Sequence, residues 1–222
     1  MGQSGFPIDL VLFGLIAAFL LLRLRSVLGR RTGFERPPID PHAGPPAARP
    51  GPVIEGHADA PPPAPQRPMP DPASPVGSCL ARIASADKTF DPGHFLSGAE
   101  AAFRIIVTAF ASSDREGLRP LLSEETYRTF DTVIAEREGR GETQKTEIRS
   151  IDAATIENAD LSGSTARITI RFVSDQVNVT LGRDGQPVAG TEAVTEINDL
   201  WTFERDISNQ DPTWRLVGAR SA

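Results

Sequence analysis

ARITIRFVSDQVNVTL, residues 166–181, is the stretch on which the fold turns. Ala166, Ile168, Ile170 and Phe172 alternate with polar residues, and Val177, Val179 and Leu181 then alternate in the opposite phase. A period of two puts one set of side chains on one face of a strand. A slip of one residue inside so long a strand calls for a bulge or sharp bend, expected near Val173–Gln176. RDGQ at 183–186 supplies an Asp-Gly turn. A third strand is expected over about Glu192–Arg205, with Trp201 and Phe203 on one face. A fourth carries Trp214 and Leu216 after the Asn209–Pro212 turn.

Upstream of Gly141 the period is 3.6. Asp91 and Pro92 read as the N-cap and first position of a helix. Phe95, Ala99, Ala102, Phe103, Ile106 and Phe110 follow on one face. Ser113 to Glu116 reads as a capping box opening a short helix through Leu122. Ser123 opens another, with Tyr127, Phe130, Val133 and Ile134 inward, stopped by Gly139 and Gly141. Helices first and strands afterwards predict an α+β domain, its helices packed on a long, bent antiparallel sheet.

Two segments precede that domain, which is assigned to residues 79–222. Phe6 to Leu22 is an apolar run of seventeen residues interrupted only by Asp9, about 25 Å of helix at 1.5 Å per residue. Arg23, Arg25, Arg30 and Arg31 all follow the run, and no small-residue cleavage site appears. Residues 1–31 therefore read as an uncleaved transmembrane anchor, with Phe6, Leu10, Phe13, Phe19 and Leu22 in lipid and Arg23 and Arg25 at the cytoplasmic headgroups. The expected location is the cell inner membrane, single-pass, N-terminus outside and C-terminal domain cytoplasmic. Residues 32–78 read as a disordered linker, since fifteen of the chain's twenty prolines lie between Pro37 and Pro75.

Charge narrows the partners. Residues 1–78 carry 7 Lys+Arg and 6 Asp+Glu, and 79–222 carry 16 and 23, so the C-terminal part stands at −7. Nucleic acid is excluded as its main partner, because phosphate contacts need a basic face. The lone Cys79 forms no intrachain disulfide and reads as an incidental thiol at the domain edge. His42, His57 and Cys79 are scattered, so no metal site or cofactor is expected, and His94 reads as a first-turn surface residue. No nucleophile elbow, dinucleotide fingerprint or P-loop occurs. Asp199, Glu204, Arg205 and Asp206 read as hairpin charges. The alternative makes Asp199 a buried general base.

Three stretches carry a family resemblance: FDPGHFLSGAEAAFRIIVTAFASSDREGLRPLL from Phe90, YRTFDTVIAERE from Tyr127, and DLWTFERDI with DPTWRL from Asp199 onward. In this order they resemble the Tim44-like family, the C-terminal domain of the mitochondrial import motor's scaffold subunit and its alphaproteobacterial counterparts. The resemblance implies a fold like nuclear transport factor two, with an apolar pocket between sheet and helices. It also implies chaperone recruitment and a basic membrane contact. This chain departs from it in having an anchor and linker in place of the chaperone-binding region, and in its acidic domain.

The expected function is a membrane-anchored adaptor or tether in protein translocation, membrane insertion or assembly. It would bind a protein or lipid in a pocket walled by Phe103, Phe110, Phe172, Trp201 and Trp214. Expected partners are membrane lipid, a membrane protein or translocon component and, through the resemblance, a chaperone; oligomeric state stays open. The alternatives are a lipid or small hydrophobic-ligand binder and an enzyme built on an acidic base. No catalytic residue is assigned, and the chain is not expected to be an enzyme.

Overall fold

The computed structural model describes residues 67–222, which lie within one compact unit of the chain, Ala64–Ala222. The anchor expected at residues 1–31 lies outside the described residues, as does the expected linker up to residue 66. Among the described residues no helix is long and apolar enough to cross a membrane.

Four helices precede four strands: α1 (Pro75–Ala86), α2 (Pro92–Ala111), α3 (Arg115–Leu118), α4 (Glu124–Arg140), β1 (Thr143–Ser162), β2 (Thr165–Leu181), β3 (Pro187–Asp206) and β4 (Arg215–Ser221). The strands form one antiparallel meander in the order β1-β2-β3-β4. This is the expected α+β arrangement.

Capping chemistry sets the helix ends. Asp91 accepts a hydrogen bond from the His94 amide at the start of α2, with Pro92 inside the first turn. Ser123 caps α4, and Gly141 ends it in the left-handed region at φ 70°. The α3 cap falls one residue later than the sequence suggested. Ser113 sits at φ 61° closing α2, and Asp114 accepts from the Gly117 amide instead. Helix α3 ends at Leu118 rather than Leu122, because Pro120 has no amide to donate to the next turn. The released segment bridges to β4: the Leu216 amide donates to Leu121 O and the Ser123 amide to Leu216 O.

α1 has no counterpart in the sequence reading, which left residues 75–78 in the linker. Ser74 caps it, and Gly77, Cys79, Leu80 and Ile83 are buried. Ahead of it Arg67 Nη2 donates to Glu100 Oε2 at 2.6 Å, tying this segment to α2.

The expected irregularity falls at the end of Val173–Gln176: β2 skips Val177 in its pairing with β3, and the residues opposite Val173–Gln176 on β1 are bulged. Up to Gln176 the inner face of β2 keeps its phase and turns polar. Ser174 and Gln176 are 0 % and 4 % exposed. Gln176 Nε2 donates to Ser174 Oγ, Asn178 Nδ2 to Gln176 Oε1, and Thr146 Oγ1 to Asn178 Oδ1. Gln144 continues the track by donating to Thr146 and accepting from Arg137. The buried Arg137 guanidinium also donates to Phe110 O and Ser113 Oγ, closing the last turn of α2. On the neighbours, β1 has extra residues at Arg149, Asp152 and Glu157, and β3 has Glu192–Val194 opposite the skipped Val177.

Candidate functional site

α2 crosses the sheet with its apolar stripe inward, and its first three turns meet the ends of β3 and β4 at a cavity. Phe90 is the residue before the Asp91 cap and Phe95 is the fourth helical residue, so the two can staple the helix entry. Their ring centroids lie 6.0 Å apart. Trp214, leading into β4, stands 4.7 Å from Phe95 and 5.7 Å from Phe90. Phe203 of β3 meets Phe95 edge-on at 6.2 Å.

This aromatic cluster borders a cavity of about 360 Å³. Its helix wall is Phe95, Gly98, Ala99 and Ala102, with His94 and Asp91 at the mouth and Leu121, Pro212, Trp214 and Arg205 opposite. The wall is low because its side chains are small. A Cβ placed on Gly98 would meet nothing within 4 Å.

A buried ion pair backs the cavity. Arg205 Nη1 lies 2.7 Å from Asp87 Oδ2, and the two side chains are 9 % and 8 % exposed. Arg205 Nε also donates to Asp211 O at 3.1 Å. Asp87 Oδ1 accepts from the Thr89 hydroxyl at 2.6 Å and the Thr89 amide at 2.9 Å. The Thr89 hydroxyl, helped by its amide and by Arg205, holds the Asp87 carboxyl below its usual range against the opposing effect of burial. The two side chains are matched in charge and buried together, so the pair locks β3 to the end of α1.

Arg205 also lines a second, polar cavity of about 180 Å³ with Ser123, Glu204, Asp206, Asn209, Asp211, Thr213 and Arg215. Asp211 is lowered to about 2 by the Thr213 hydroxyl, the Thr213 amide and Arg215. Asp206 is lowered by the Ser208 hydroxyl and amide and by Ser164. Arg167 pairs with Glu204 at 2.6 Å and Arg215 with Asp211 at 2.9 Å. Among the described residues no group of acidic, histidine and cysteine side chains is placed to hold a metal.

The five expected pocket residues fall in three places. Phe103, Phe172 and Trp201 pack on one another, with Phe103 centroids 4.5 Å from Phe172 and 4.7 Å from Trp201, as a closed core. Phe110 meets Phe130 at 5.0 Å near the end of α2 and carries Arg137 over its ring. Only Trp214 lines the cavity. Asp199 lies opposite Phe172 and Ser221, half-buried and away from both cavities. Phe90, Gly98 and Arg205 are lining residues that periodicity did not single out. The staple pattern of FDPGHF was the signal for the first.

Several known proteins resemble this chain. A large ribosomal subunit protein, mL45 of Drosophila melanogaster, is 28 % identical over 140 residues, covering 62 % of this chain and 39 % of that protein. The chain thus spans well under half the length of this relative. Among solved structures, the intermembrane space region of the chloroplast protein ARC6 matches at TM-score 0.43 and 11 % identity, over 57 % of this chain and 95 % of that one. An NTF2-like family structure from Streptomyces avermitilis matches at TM-score 0.32 and 12 % identity, over 60 % and 99 %. The model of the Tim44-like domain matches residues 76–221, α1 through β4, and the chain belongs to that family.

Proposed function

We propose that this chain is a membrane-associated adaptor whose Tim44-like domain holds a protein partner at the bilayer. In this reading residues 1–31 cross the inner membrane once, the domain faces the cytoplasm, and the setting is protein translocation, insertion or assembly. The observation that carries the binding role is the open aromatic cavity beside α2, where Phe90, Phe95, Phe203 and Trp214 stand with the polar Thr89, Asp91, His94 and Arg205, a mixture that can both bury and orient a partner group. Tethering raises the local concentration of whatever the domain holds.

Catalysis is the weaker reading. The titratable groups behind the cavity are engaged with one another, Asp87 with Thr89 and Arg205, which suits a fixed wall better than proton transfer. A ribosome is a second candidate partner, suggested by the ribosomal relative. The −7 of residues 79–222 opposes contact with its RNA and leaves its proteins as the docking surface.

A photo-crosslinking residue at His94, an exposed residue lining the cavity, tests the adaptor reading in intact membranes. It should capture a membrane or membrane-bound protein, and deletion of residues 1–31 should abolish both the crosslink and the function. Full rescue by the released domain, together with an inactive but normally folded Asp199→Asn chain, would replace the adaptor by an enzyme.

A further inference from the structure

We infer that the aromatic cavity and the polar cavity beyond Arg205 form one bipartite recognition site for a protein segment that carries a bulky apolar side chain beside a lysine or arginine. This rests on the protein-binding reading above and adds the chemistry of the partner.

Gly98 is the first observation. It sits in the seventh position of a twenty-residue helix, where glycine costs about 1 kcal/mol against alanine. Gly98 is exposed, an added Cβ there would meet nothing within 4 Å, and it lines the aromatic cavity. This open stretch of helix leaves the cavity accessible to a group brought from outside the domain. A cavity of about 360 Å³ takes one or two large side chains.

The second observation is the charge next door. Arg205 lines both cavities, but its guanidinium is matched by Asp87 at the back. In the polar cavity Arg215 pairs with Asp211, and Arg167 comes to Glu204. Asp206 is left, held by the Ser208 hydroxyl at 2.7 Å and amide at 2.9 Å rather than by a cation. Asp91 stands at the mouth of the aromatic cavity, spent only on its helix cap. Asp91 and Asp206 are thus exposed carboxylates that accept hydrogen bonds and, among the described residues, make no ion pair. A partner cation near Arg205 gains an attraction that an anion would meet as repulsion.

Equilibrium dialysis and the fluorescence of Trp214, with Trp214→Phe as blank, test this on the full chain. The ligands are three peptides, Ac-Gly-Phe-Lys-Gly-amide and its Gln and Glu counterparts, and vesicles of zwitterionic or anionic lipid. The Lys peptide should bind roughly fivefold more tightly than the Gln peptide, the scale of a partly exposed ion pair, and the Glu peptide most weakly. Asp206→Asn should bring Lys down to Gln, and Gly98→Leu should abolish all three without lowering the melting temperature. Equal binding of the three peptides would overturn the cationic half of the site and leave the apolar pocket standing. Because the proposed anchor would itself enter vesicles, only the Trp214 signal counts in that arm: a vesicle-induced change that Gly98→Leu removes, with no response to any peptide, would overturn the protein ligand itself. Peptide binding unaltered by Gly98→Leu would move the site off this cavity and overturn both.

Discussion

Two aromatic clusters lie side by side under α2, alike in composition, one closed and one bordering a cavity. Phe103, Phe172 and Trp201 close on one another with centroids 4.5–6.0 Å apart. Phe90, Phe95 and Trp214 are as near, at 4.7–6.0 Å, yet they border open space. The difference comes from the helix above them. Over the first cluster α2 sets Phe103 and Ile106, both fully buried. Over the second it sets Gly98, Ala99 and Ala102. Aromatic residues supply the wall, and the small residues facing them decide whether it is a core or a pocket.

The largest effect should come from the closed cluster. Phe172→Ala removes a fully buried ring that touches Phe103 and Trp201 and should cost about 3–5 kcal/mol. Urea unfolding followed by circular dichroism measures it; a loss under 1 kcal/mol would mean that this cluster is as loose as the other.

The ion pair behind the open cluster comes next. Asp87→Asn keeps the shape but leaves Arg205 unmatched, at a cost of about 2 kcal/mol. Its pH dependence has a definite sign. The folded Asp87 carboxyl is lowered from 3.8, so its stabilisation is fully present above that value and is lost as pH falls through the lower folded value. Asp211, at about 2, adds to the same acid limb. Unfolding between pH 5 and 2 should therefore steepen less for Asp87→Asn than for the parent, and identical profiles would remove the pair from the acid response.

Trp214→Ala should lose less, about 1–2 kcal/mol, because one side of the ring faces the cavity and its contacts with Phe90 and Phe95 are partly replaced by water. It should nevertheless abolish pocket binding. A Trp214→Ala chain that still binds the apolar peptides would put the recognition surface elsewhere.

The sequence carried the closed cluster better than the open one. Asp91-Pro92, Ser123 and Gly141 mark helix ends by local chemistry, and Asp-Gly at 184–185 marks a hairpin, so element order was legible. β1 was obscured because Arg149, Asp152 and Glu157 each shift its register by one, which breaks the alternation that reveals a strand. Ser174 and Gln176 were hidden because polar residues on a buried face look like surface ones until their hydrogen bonds are seen. α1 follows a proline-rich stretch and shared its reading. Trp214 was grouped with Trp201 by residue type, although Leu121 and Pro212 place it in another neighbourhood. A pocket made by missing side chains leaves only a glycine and two alanines in the text, and those look like helix filler.

Gly98→Leu therefore sharpens the comparison most, although its effect on stability is the smallest. A leucine suits a helix interior better than glycine by about 0.5–1 kcal/mol, and the open space at Gly98 means that no neighbour must move to admit its Cβ. Its branched end would fall toward Phe95 and Trp214 and turn the second cluster into a copy of the first. The melting temperature should stay level or rise by a few degrees, while pocket binding and the His94 crosslink disappear. Gly98→Ala is the control: it should gain most of the helix stability and keep most of the binding, since one methyl fills little of a cavity of about 360 Å³. If leucine instead lowers the melting temperature by several degrees, the space beside Gly98 is already needed by the domain, and the distinction between the two clusters falls.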